Sequence, residues 1–180
     1  DFIPVAMDQI VNQIAKYRYM SGGQFKVPLT IRAAQGGGAG FGTQHSQCAE
    51  SWLASFPGIK VVSPANPAEA YGLLRGAIRD DNPAFVLEHK LLYKMKGEGA
   101  ADAGPIALGK ARIARPGKHV TVVGLQLMLQ RALEAAAELA AEGIDTIVLK
   151  QLALPLTERR MDAWRELVER IKHPDEEIVI

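Results

Sequence analysis

The chain has 180 residues, 48% of them hydrophobic, with 21 basic against 20 acidic side chains and a formal charge of +1. A disordered chain would be poorer in apolar residues and more one-sided in charge, whereas a globular chain of this length buries roughly 70% of its unfolded surface. The near-zero charge and the lack of a Lys or Arg block exclude an electrostatic footprint for nucleic acid or an anionic membrane.

One cysteine, Cys48, leaves no room for an internal disulfide or a multi-thiolate metal site, so a reducing, cytoplasmic setting is expected. No run of about 18 apolar residues is present, and Asp1-Phe2-Ile3-Pro4 lacks Met and the basic and apolar stretches of a signal peptide. The ending Glu177-Ile178-Val179-Ile180 reads like a strand entering a sheet, and with the start it suggests a segment of something longer.

In chain order, Met7, Ile10, Val11 and Ile14 fall at i, i+3, i+4 and i+7, one stripe of an amphipathic helix that Gly22-Gly23 ends. Residues 27–33 are short and mostly apolar, as a buried strand is, and lead into the glycine loop 36–42. Ser46 can cap a short helix carrying Trp52 and Leu53, closed by Pro57-Gly58. A strand over 60–63, a helix from Pro67 to about Asp80 and a strand over 84–87 then form a βαβ crossover, which requires a parallel sheet. Asn66 is its N-cap, Pro67 suits the first helical position, and Glu69 can reach back in a variant of the capping box.

Residues 94–105 lose all apolar periodicity, as a linker does. The expected division is residues 1–96, a linker over 97–110, and residues 111–180. In the last part a strand over 119–123, an alanine-rich helix from about Leu127 to Glu142 stopped by Gly143, and a strand over 146–149 repeat the alternation. Met161, Trp164, Leu167, Val168 and Ile171 line one face of a final helix, ahead of a last strand. The fold class is α/β, an open parallel sheet with helices on both faces followed by part of a second α/β domain.

Few motifs carry chemistry by spacing alone. The glycine loop misses the third glycine of the dinucleotide fingerprint and has no following Lys-Ser or Lys-Thr, so a flexible turn competes with a phosphate cradle. His45 ends that loop, where an imidazole can face a cleft and titrate near neutral pH, although an ordinary surface histidine fits composition as well. Cys48, three residues on, could form a thiolate pair with it on one helical face, or simply pack. His89, His119 and His173 have no metal-ligand spacing. Asp80-Asp81-Asn82-Pro83 puts acidic groups at a helix C-terminus, which points to a bound cation or to a turn in which Asp and Asn bond their own backbone. Arg32 ends a strand that reads as buried and needs a carboxylate or phosphate partner.

The strings Ala6-Met7-Asp8-Gln9-Ile10-Val11-Asn12-Gln13, Lys16-Tyr17-Arg18-Tyr19-Met20-Ser21-Gly22-Gly23, Thr30-Ile31-Arg32, Gly42-Thr43-Gln44-His45-Ser46-Gln47, Ile59-Lys60-Val61-Val62-Ser63-Pro64 and Ile78-Arg79-Asp80-Asp81-Asn82-Pro83 resemble one family. It is the β subunit of the thiamine diphosphate-dependent first component of 2-oxo acid dehydrogenase complexes, of pyruvate, branched-chain or acetoin type. The likeness is dense to about residue 96, looser to about Pro155, and fades after it.

The resemblance implies a transketolase-like pyrimidine-binding domain and a transketolase C-terminal-like domain, both incomplete here. It also implies an α subunit partner in a heterotetramer, a lipoyl acyltransferase partner and a small 2-oxo acid or acetoin as substrate. Thiamine diphosphate would lie between subunits, with magnesium held by the α subunit. Phe2 matches the aromatic residue packed on the aminopyrimidine ring, and His45 the histidine at the active-site mouth that orients the intermediate and the lipoyl group. Leu29, Thr30, Ala77, Asp80 and Asn82 match the surroundings of a potassium ion found in some members. The family's pyrimidine-bonding glutamate lies upstream of Asp1, so the chain is expected to have no thiamine chemistry alone. The alternatives are a non-catalytic assembly module and a transketolase-type enzyme.

Overall fold

The computed structural model describes residues 2–97, 104–117 and 121–142. The chain divides into two compact units, Asp1–Glu134 and Ala135–Ile180, and the described part of the second is the end of one helix. The expected strand over 146–149, the helix through Ile171 and the final strand lie outside the described residues.

Three parallel strands, β1 (Thr30–Gln35), β2 (Lys60–Val62) and β3 (Ala84–His89), form a sheet of order β1-β3-β2. All six residues of β3 are buried, as a central parallel strand covered on both faces must be. Its alternation divides the core in two. Phe85 and Leu87 meet Ile31, Ala33 and Val61 from the neighbouring strands, and Ile10, Ala49 and Leu53 from the elements above them. Ala84 and Val86 face the other way, onto Val62, Leu74, Ala77 and Leu108. Helical segments therefore cover both faces, as expected.

The N-terminal helical run is more varied than the periodicity implies. A 3-10 turn (Ile3–Ala6) leads into a π-helical stretch (Gln9–Ile14) and then α1 (Ala15–Met20). Ile10 and Ala15 are buried and Met7, Val11 and Ile14 half-buried, so the stripe is the packed face. The run ends in the paired bonds of a Schellman motif, Gly23 N–H to Arg18 O at 2.8 Å and Gly22 N–H to Tyr19 O at 2.9 Å.

The crossover helix α3 (Pro67–Ile78) starts as its sequence dictates. Asn66 Oδ1 accepts the Glu69 N–H at 2.8 Å, while Glu69 Oε2 accepts the Ala65 N–H at 2.9 Å, one residue ahead of the usual capping-box partner. Residues 106–108, which composition assigns to a linker, lie against this helix: the Ile106 N–H donates to Gly72 O at 2.9 Å. Gly76 permits the approach, since a Cβ there would fall 2.2 Å from Ile106 O.

Three local expectations need correction. β1 occupies 30–35 rather than 27–33, because Pro28 has no N–H to give a ladder and pairing starts only at Thr30 opposite Ala84. Helix α2 (Glu50–Ala54) is capped at Ala49 with no side-chain bond, and Ser46 Oγ donates instead to Gly42 O at 2.7 Å. Residues 121–123 of the expected strand over 119–123 are irregular, with Val122 and Val123 exposed and no ladder partner among the described residues. The alanine-rich helix, α4 (Gln126–Glu142), is present. No helix among the described residues is long and apolar enough to cross a membrane.

Candidate functional site

In an open parallel sheet, ligands bind where the strands' carboxyl ends release the chain into loops. Here the register sets Gln35 beside His89, so the ends of β1 and β3 meet at one edge. β1 passes directly into a loop over 36–47, in which Gly36, Gly38, Gly40 and Gly42 take φ of 102°, 83°, 72° and 78°. At Gly36 no other residue fits: besides the positive φ, a Cβ would lie 2.4 Å from the His89 ring.

The loop brings together the two residues that the resemblance singles out. The Phe2 ring sits 5.7 Å from the His45 imidazole, centroid to centroid, at 72° between planes. Phe2 is 74% exposed and His45 half-buried, so neither is sealed in the core. Lys90, just beyond β3, donates from Nζ to His45 O at 2.6 Å and lies 5.9 Å from the Phe41 ring centroid. Phe41, Lys90, Leu91 and Lys94 line an open groove of about 370 Å³ next to it. Cys48 is exposed and lies outside α2, so it shares no helical face with His45 and is not a packing residue.

Beneath the loop lies a polar layer that the sequence did not signal. Gln35 and Gln126 are buried, and Gln35 bonds to Ala49, Glu50 and Gln126. His89 is buried with Nδ1 accepting the Leu91 N–H at 3.2 Å. Burial disfavours its imidazolium and Lys90 adds to this against the opposing Glu50, so its pKa is held below the ordinary histidine value. The sequence hint is a glutamine at the strand's end, on the same face as the apolar Ile31 and Ala33.

On the opposite face, Arg32 has the carboxylate partner it requires. Its Nε and Nη2 donate to Glu88 at 2.8 and 3.0 Å, and the Tyr93 hydroxyl donates to the same carboxylate at 2.9 Å. The Arg32 side chain is 57% exposed, however, because β1 is an edge strand of the described sheet. Burial and the Glu88 carboxylate both push the Tyr93 phenol pKa up.

The cation candidates gather at the other end of the strands. Leu29 O accepts the Ala84 N–H at 2.9 Å, Thr30 pairs with Ala84, and Ala77 O accepts the Asp80 N–H at 3.1 Å. Asp80 Oδ1 accepts from the backbone and side-chain nitrogens of Asn82, both at 2.9 Å, which is the local turn bonding expected of this sequence. Its Oδ2 meets Lys60 Nζ at 2.5 Å, and Asn82 Oδ1 accepts from Arg18 at 2.7 Å. Burial would raise the Asp80 pKa, but the Lys60 ammonium and the Asn82 donors outweigh it and hold the carboxyl below its usual range. The acidic helix end is thus neutralised by the chain's own Lys60 on Asp80 and Lys26 on Asp81, and what remains for a hard cation is mainly the second lone pair of backbone carbonyls. Among the described residues no three His, Cys, Asp or Glu side chains converge as a metal site.

Comparison with known proteins gives this geometry its context. The family described as transketolase, pyrimidine binding domain, matches residues 1–96, and that described as transketolase, C-terminal domain, matches 109–158. The chain is 44% identical over 177 residues to acetoin:2,6-dichlorophenolindophenol oxidoreductase subunit beta of Bacillus subtilis, covering 98% of this chain and 52% of that protein. It is 46% identical over 170 residues to the protein of the same name from Cupriavidus necator, covering 94% and 49%. To the human mitochondrial pyruvate dehydrogenase E1 component subunit beta it is 44% identical over 153 residues, covering 83% and 43%. The chain therefore spans about half the length of these relatives. With its first 96 residues matched end to end and its loop residues held at the carboxyl edge of a parallel sheet, the chain belongs to the transketolase pyrimidine-binding domain family.

Proposed function

We propose that this chain is part of the β subunit of a thiamine diphosphate-dependent 2-oxo acid dehydrogenase, of pyruvate or acetoin type, and that it supplies the pyrimidine side of the cofactor site. The observation that carries this reading is the contact of Phe2 with His45 at the loop edge of the sheet, in a chain of the pyrimidine-binding family. Residues 1–96 are read as that domain, 97–110 as a linker and 111–180 as the C-terminal-like domain. An α subunit would complete the site and hold magnesium with the diphosphate, and a lipoyl acyltransferase would collect the acyl group.

The residues present fit the cofactor's ring. Phe2 offers a flat apolar surface to solvent while one contact with His45 fixes its tilt, which is what stacking on an aromatic ring needs. Bound thiamine diphosphate supplies the nucleophilic carbon and the electron sink for decarboxylation, chemistry that no side chain here can provide. His45 contributes an imidazole whose backbone is pinned by Lys90, so a ring nitrogen can hold or hand over a proton at a fixed place beside the stacked ring. Phe41, Lys90, Leu91 and Lys94 flank the approach as an open groove beside it. Potassium at Leu29, Thr30, Ala77, Asp80 and Asn82 would brace the turn from the far end of the strands.

The test assembles the full-length subunit with its α partner, thiamine diphosphate, magnesium and a panel of 2-oxo acids and acetoin, and follows reduction of lipoyl and artificial acceptors. Cofactor-dependent turnover is expected, with His45→Ala losing the lipoyl-dependent part by about a hundredfold. Turnover without thiamine diphosphate, or lipoyl-dependent turnover untouched by His45→Ala, contradicts the reading. An assembly that forms but never binds the cofactor favours the non-catalytic module.

A further inference from the structure

We infer that Gln35 is a positioning residue for His45, the clamp that closes the neck of the 36–47 loop. It is the last residue of β1, on the sheet face of Ile31 and Ala33, and it is 2% exposed. An apolar side chain would serve that core better, since a buried amide costs free energy unless its bonds are made. Both of its polar atoms are bonded, with two of the three bonds running to Ala49 and Glu50 just past the loop's exit and the third to Gln126. Oε1 accepts the Ala49 N–H at 2.8 Å, and Nε2 donates to Glu50 Oε1 and to Gln126 Oε1, the latter at 3.3 Å.

The neighbouring residue closes the neck a second time, Gly36 N–H donating to Gln47 O at 2.8 Å. Entry and exit of the loop are tied at adjacent residues, and between the ties stand Phe41 and His45. The clamp is itself anchored. β2 stops at Val62 opposite Val86, so among the described residues no strand pairs with the next carbonyl of β3 on that side, and Gln126 Nε2 donates to that Leu87 O at 2.7 Å. Gln126 does so from φ 50°, a left-handed conformation that persists in a non-glycine residue only where its surroundings over-determine it. Among the described residues no buried side-chain polar atom lacks a partner, and such saturated networks resist sliding.

The clamp stands on geometry alone; its part in catalysis rests on the function proposed above. In the full chain, Gln35→Leu is expected to speed hydrogen exchange of the Ala49 and Gly36 amides about tenfold while Val86 and Leu87 stay protected, and Glu50→Gln, which keeps an acceptor, to leave exchange unchanged. Unchanged exchange at Ala49 in Gln35→Leu overturns the clamp. Should Gln35→Leu also unprotect Val86, Gln126→Leu, which cuts the bonds to Gln35 and to Leu87 O but leaves the acceptor of the Ala49 N–H in place, speeds Ala49 exchange about threefold, or overturns the clamp by leaving it unchanged.

In the assembled enzyme, Gln35→Leu is expected to lower kcat about tenfold and to add nothing in a His45→Ala background. An equal loss in both backgrounds overturns the positioning role, because a merely structural defect would not depend on His45. If His45→Ala itself leaves turnover unchanged, the thiamine reading fails, whereas faster Ala49 exchange in Gln35→Leu still shows the clamp.

Discussion

The middle of the described sheet and its carboxyl edge are built on different principles. In the middle, Phe85, Val86 and Leu87 are wholly buried among apolar neighbours, and each is held by the surface it hides. At the ends of the strands Gln35 and His89 are buried too, but polar: hydrogen bonds to Ala49 and Gln126, distant in sequence, hold Gln35, and the Leu91 N–H two residues on holds His89. The difference separates a scaffold that tolerates any well-filled core from an edge where a single direction of an amide decides where a loop stands.

Substitutions should follow that division. Phe85→Ala empties the centre of the larger cluster and is expected to cost about 3–5 kcal/mol in urea unfolding, with no effect specific to the loop. A cost below about 1 kcal/mol would mean that the core is not where Phe85 places it. Gly36→Ala comes next, at about 2–3 kcal/mol, because it combines positive φ with collision against His89. Gly40→Ala is its control: φ is 72° but nothing lies within 4 Å of a new Cβ, so only about 1 kcal/mol of backbone strain remains. Equal costs at the two glycines would dissolve the neck described above.

The smallest effect is pH-dependent. His89 has its pKa lowered by burial, so below the ordinary histidine value of about 6.5 the unfolded chain takes up a proton that the folded chain refuses. Stability from this group is present above that value and falls as pH drops through it toward the lower folded pKa. His89→Asn, which keeps an acceptor near the Leu91 N–H, should flatten the dependence of the urea midpoint between about pH 7 and 5. An unchanged slope would show that another group titrates there.

The same division explains what the sequence made legible. The crossover from Lys60 to His89 was readable because each of its signals is local: β-branched runs, Asn66 and Pro67 at the helix start, Glu69 three residues on. The stripe through Ile10 and Ile14 was readable as a face, although not as a π-helical turn, because periodicity reports which side is buried and not how many residues fill a turn. β1 begins later than its apolar pattern implies, since Val27, Pro28 and Leu29 are apolar enough to imitate a strand while Gln35 looks like a surface residue. His45 stands out by its place at the end of the glycine loop, but its role and the choice of Phe2 come only from family resemblance, and the bonds of Gln35 to Ala49 and Gln126 leave no mark, because no local pattern encodes a contact across the fold.

The most direct test of the central claim, that this chain walls the pyrimidine side of a shared thiamine site, is a titration of thiamine diphosphate against the full-length subunit assembled with its α partner, wild type beside Phe2→Ala. Loss of one stacked ring, about 1–1.5 kcal/mol, should weaken binding about tenfold without loosening the assembly. Equal affinities for the two proteins would contradict the account.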